Sequence, residues 1–75
     1  MYDEIAREIN AAANHRGKAV MIHYLILMNA DRLRDVRPEE FCDKVGIERT
    51  WAIEFRKMLN LARFLKDRGI SLIPS

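Results

Sequence analysis

His15, His23 and Cys42 are the side chains that metal binding or thiol chemistry would call on first. They are scattered, with no repeated spacing that would converge ligands on one ion. Cys42 falls in the stretch PEEFCDKVG, where a helix nears a turn and packing needs a small buried residue. A thiol buried among apolar groups is inert. His23 interrupts an apolar run and reads as a core or interface histidine with one hydrogen bond, rather than as a base. The glycines at 17, 46 and 69 are too far apart to cradle a phosphate and read as helix punctuation. The expectation is therefore no enzyme, no catalytic residue, no metal, no cofactor and no small-molecule substrate.

The chemistry that the chain does offer is ionic. Residues 1–48 carry seven Lys or Arg against nine Asp or Glu, whereas residues 49–75 carry six against two. A basic patch of this kind is the electrostatic footprint of a DNA reader, although it also suits a merely solvated helix. Arg49 has the fork geometry for guanine O6 and N7, and Thr50 suits a phosphate or a thymine methyl. Ile53 fits a thymine methyl. Arg56, Lys57 and Arg63 read as phosphate clamps, which give affinity without sequence choice. Glu54 would be repelled by phosphates unless it accepts from cytosine N4, so tying the corner together is an equal role for it. Glu48 raises the same difficulty. Trp51 falls on the inward face and reads as core.

These side chains need an element to carry them. Phe41, Val45, Ile47 and Phe55 are apolar, Cys42 and Ala52 are small, and Gly46 stands where the chain must turn. Two helices crossing steeply need a small residue at their closest approach and a glycine where the turn takes a positive φ. That spacing predicts a helix-turn-helix over about 38–68, its second helix offered to a DNA major groove.

Four helices are expected, giving an all-α class. The first, about Tyr2 to Asn14, places Tyr2, Ile5, Ile9 and Ala12 or Ala13 on one face, with His15 and Arg16 at its end and Gly17 as its stop. The second, about Lys18 to Leu33, is apolar almost all round and must be covered on every side. This predicts a homodimer with Ile22, Leu25 and Ile26 at the interface; the alternative is a helix running through the bundle centre. Pro38 opens the third helix, with Glu39 and Glu40 at its positive end, and Gly46 closes it. The fourth, about Arg49 or Thr50 to Arg68, carries the inward stripe Trp51, Phe55, Met58, Leu59, Ala62 and Leu65. Gly69 ends it and Ile70 folds back on its last turn. Leu72 and Ile73 should pack, and Pro74 and Ser75 should fray.

Seventy-five residues suit a single domain over 1–75 with a thin core, which a second copy would help to cover. One cysteine allows no internal disulfide, which fits a reducing cytoplasm. Asp3 and Glu4 argue against a secretory signal, and Ala19 to Met28 is too short to span a bilayer.

Three segments between Gly17 and Phe64 resemble a family of small bacterial helix-turn-helix-like domains. They are Gly17-Lys18 followed by Ala19, Ile22 and His23; Ala30-Asp31 with Leu33; and Gly46-Ile47, then Glu54, Arg56, Lys57 and Asn60-Leu61-Ala62-Arg63-Phe64. Glu48 departs from the pattern by standing where a helix-capping serine is usual. The resemblance implies DNA binding without naming a target, and it makes Glu54 part of the motif. The first reading is a dimeric regulator of transcription bound to palindromic duplex DNA. The second is a protein-interaction module whose apolar helix and acidic first half are the working surfaces.

Overall fold

The computed structural model describes residues 1–12 and 15–71, with His15 described in its backbone alone. Among the described residues five helices follow one another: α1 (Tyr2–Ala11), α2 (His15–Met28), α3 (Ala30–Leu33), α4 (Pro38–Val45) and α5 (Trp51–Asp67). There is no strand among the described residues, and the class is all-α. The expectations placed on Ala13, Asn14, the His15 side chain, Leu72, Ile73, Pro74 and Ser75 lie outside the described residues.

α1 is amphipathic, and its buried residues Ile5 and Ile9 are one helical turn apart. It stops earlier than expected. Ala12 turns extended, and Gly17 lies inside α2 in ordinary helical backbone. Glycine permits a left-handed stop but does not compel one. Arg16 and Lys18 therefore stand in the first turn of α2, the end that the helix dipole makes unfavourable for cations.

The expected long second helix is two helices. The break falls at Asn29, whose backbone leaves the helical region at φ −108°, ψ 16°; its side-chain amide bonds the Leu25 carbonyl at 2.8 Å, beside the ordinary helical bond from its own N–H at 3.1 Å. An asparagine that satisfies local backbone in this way offers the chain an exit from the helix. α3 restarts on the Asn29 carbonyl, and its turn carries Leu33 into full burial. The break also turns Asp31 and Arg34 towards α5, where both line a groove against that helix.

The core draws on every helix: Ile5, Ile9, Ile22, Leu25, Ile26, Leu33, Phe41, Cys42, Val45 and Phe55. α2 is thus covered on its Ile22–Leu25–Ile26 side by its own chain. Those three residues are 1%, 3% and 0% exposed and offer a second copy no surface, which corrects their assignment to a dimer interface. The apolar side chains that α2 leaves in solvent are Val20 and Tyr24, 63% and 51% exposed. α5 lies across the assembly and buries one residue fully, Phe55. Trp51, Met58, Leu59, Ala62 and Leu65 are half-buried beneath it.

Candidate nucleic-acid interface

The corner between α4 and α5 is built on one carbonyl. Gly46, at φ 77°, turns left-handed, and its N–H and that of Ile47 both reach the Cys42 carbonyl at 3.0 Å. This is a glycine-terminated helix end, and only glycine takes that φ without strain. The Cys42 side chain is fully buried, and Phe41 meets Phe55 at 4.7 Å between ring centroids. Burial pushes the Cys42 thiol up, and the charges of Asp43 and Glu39 push it further, against a smaller opposing pull from Arg49. The thiolate is disfavoured and the cysteine packs rather than reacts.

α5 starts without a side-chain cap, because Thr50 is already in helical backbone. The N–H groups of Trp51 and Ala52 instead reach the carbonyls of Glu48 and Arg49, at 3.0 Å and 2.9 Å. This tighter turn satisfies donors that a cap would otherwise serve. Glu48 contributes its backbone carbonyl to this turn and no side-chain cap.

Arg49 does not stand free as the sequence suggested. It grips Asp43 across the turn, Nε to Oδ1 at 3.1 Å and the terminal nitrogen to Oδ2 at 2.7 Å. The hydrogen bond from Arg49 holds the Asp43 carboxyl below the usual carboxylate range, and the same bond raises the guanidinium. The fork that would read a guanine is occupied by a carboxylate of the same chain.

Glu54 is tied inward as well. It accepts from His23 Nε2 at 3.2 Å and lies 3.7 Å from Lys57 Nζ. The His23 ring stands edge-on to Trp51, 5.6 Å between centroids. Trp51 is half-buried against the core, as its inward position foretold. His23, Trp51 and Glu54 thus join α2 to α5, and among the expected DNA-binding residues Glu54 has this structural engagement.

Thr50, Ile53, Arg56, Lys57 and Arg63 are exposed. Arg56 and Arg63, seven residues apart, share the flank of α5 that faces α3. A groove of about 430 Å³ runs there, with Arg34 on its far wall and Asn60 between the two arginines. A second groove of about 360 Å³ adjoins it at Arg56 and Asn60 and ends against Pro38 and Glu39. Lys66 lies 3.8 Å from Asp31, whereas Arg34, Arg56 and Arg63 have no ion-pair partner among the described residues.

Arg34 is the residue that sequence reasoning missed. Dividing the chain by charge put it in the acidic half. Its relation to Arg56 and Arg63 depends on the break at Asn29, for which the asparagine itself was the one local signal. Among the described residues, no three His, Cys, Asp or Glu side chains converge as metal ligands, and no helix is long and apolar enough to cross a membrane. Residues 1–68 match the model of a family described as HTH-like domain. No curated protein and no solved structure matches the chain.

Proposed function

The chain belongs to the HTH-like domain family, and we propose that it binds duplex DNA by laying α5 in the major groove, as a regulator of transcription. One observation carries this reading. α5 leaves the helix-turn-helix corner with Thr50, Ile53, Arg56, Lys57 and Arg63 exposed along it, and Arg56 and Arg63 have no internal partner among the described residues. Thr50 and Ile53, near the start of the helix, face base edges. Arg56, Lys57 and Arg63 hold the backbone. Arg49 reads a base only after exchanging Asp43 for a guanine, two acceptors for two acceptors. Glu54 positions α5 and makes no base contact.

A homodimer belongs to the same proposal. Two copies would set two α5 helices at half-sites roughly 34 Å apart, and the site would be palindromic. Val20 and Tyr24, exposed on α2, are the contacts such a dimer would use.

A protein-interaction role draws on a different observation. Ile53, Leu61 and Phe64 are exposed along α5, and Arg68 covers the Phe64 ring at 4.5 Å. Apolar groups on that scale suit a protein partner as well as a groove.

The test is fluorescence anisotropy of a labelled random-sequence duplex over a range of salt concentrations. Binding should weaken linearly in log–log with salt, and Arg56→Ala/Arg63→Ala should reduce the slope by about 2. A folded protein that fails to bind at low salt would sink the proposal and favour a protein partner.

A further inference from the structure

Resting on the DNA-binding reading, we infer that Arg34, Arg56 and Arg63 together form a phosphate seat, and that the end of α3, where Arg34 follows Leu33, is a second nucleic-acid-holding element outside the helix-turn-helix. The three arginines line one groove between α3 and α5, with Asn60, whose amide is a neutral donor, in the same wall. The groove measures about 430 Å³. Against about 30 Å³ for a water molecule, that is room for a phosphodiester with its remaining waters.

The charge of the walls favours an anion. Arg34, Arg56, Arg63 and Lys66 face Asp31 and Asp67, a surplus of two positive charges. Lys66 and Asp31 already approach each other at 3.8 Å, so the surplus resides on the arginines. Arginine presents a planar fork that matches phosphate oxygens two at a time.

The adjoining groove is the less basic of the two. It shares Arg56 and Asn60 and adds Lys57, which already approaches Glu54, but it closes on Glu39 in the first turn of α4. Its walls carry a surplus of one positive charge against two at the α3 end. The phosphate strand flanking α5 is therefore held most firmly at the α3 end, past Arg34 and Arg63.

Phosphate on a DNA strand and free phosphoanion share this chemistry, and two probes separate them. A labelled random-sequence duplex is followed by anisotropy against salt, and inorganic pyrophosphate is followed through the arginine side-chain signals in ¹H–¹⁵N spectra. Arg34→Ala should lower the salt slope by about 1 and should remove the pyrophosphate response. Arg34→Lys should retain the slope, and Arg7→Ala on α1 should leave it unchanged. Circular dichroism checks that each variant is folded.

A duplex bound by Arg34→Ala with the wild-type slope overturns the seat and leaves the α5 reading standing. Pyrophosphate that shifts Arg34, Arg56 and Arg63 without any duplex binding upholds the seat and removes the DNA reading. If the folded protein takes up neither probe, both fall.

Discussion

The flank of α5 that meets α2 and the flank that meets α3 both carry charged residues, yet they use them in opposite ways. Towards α2, Glu54 is bonded to His23 and approached by Lys57, and Trp51 packs its indole against the histidine. Towards α3, Arg56 and Arg63 face Arg34 across open groove, and Lys66–Asp31 is the one ion pair across it among the described residues. The difference follows from distance to the core. A polar group near packed side chains loses water and needs a partner, whereas a group at the rim keeps its water and stays available to a ligand. One helix thus uses one side to hold the fold and leaves the other side's arginines open to solvent.

Both flanks rest on Phe55, so its removal should break the contrast altogether. Phe55→Ala deletes the one fully buried side chain of α5 and its partner contact with Phe41. A loss of about 3–5 kcal/mol is expected, a large share of the stability of a domain this small, read as a lowered urea midpoint. DNA affinity should fall with the folded fraction.

Gly46→Ala should have a smaller effect, about 1–2 kcal/mol, from left-handed strain alone. A Cβ built there meets nothing within 4 Å, so no clash adds to the cost. The same denaturation curve measures it. A loss well above that range would mean that the corner is more tightly packed than its geometry indicates.

Asp43→Asn should change stability least, because both partners are exposed and solvent screens such pairs. Its effect belongs to binding: Arg49 loses the charge and one of its two acceptors, and preference for guanine at one site position should rise, measured by competition between duplexes. The pair also has a pH sign. Since Asp43 titrates below an ordinary aspartate, its contribution is complete above about pH 3.9 and disappears as pH falls through the lower, folded value. Carboxyl ¹³C shifts of Asp43 across that range would check this, and titration at or above the ordinary value would contradict the clasp.

Much of the corner was legible in the residues. Gly46 needed a positive φ, Cys42 needed burial, and the Phe41–Phe55 apolar pair announced a crossing; each is a local demand on one residue type. The fold-back of Ile70 was legible for the same reason, and its N–H reaches the Leu65 carbonyl at 2.9 Å beyond Gly69. The candidate site was less legible. Exposure of Thr50, Ile53, Arg56, Lys57 and Arg63 followed from helical periodicity, but the capture of Arg49 and Glu54 by Asp43 and His23 did not. Gly17 shows the limit of such cues: glycine permits a stop, but the helix runs through it.

By itself, the sequence determined the helical class, the glycine-centred corner and the exposed basic face of α5, because backbone sterics and hydrophobic periodicity act over a few residues. Only the tertiary structure decided the rest. It buried Ile22, Leu25 and Ile26 within one chain, tied Glu54 to α2, and brought Arg34 opposite Arg56 and Arg63. Those outcomes depend on where the chain bends between helices. Residues more than twenty positions apart become neighbours only once the apolar faces have found one another.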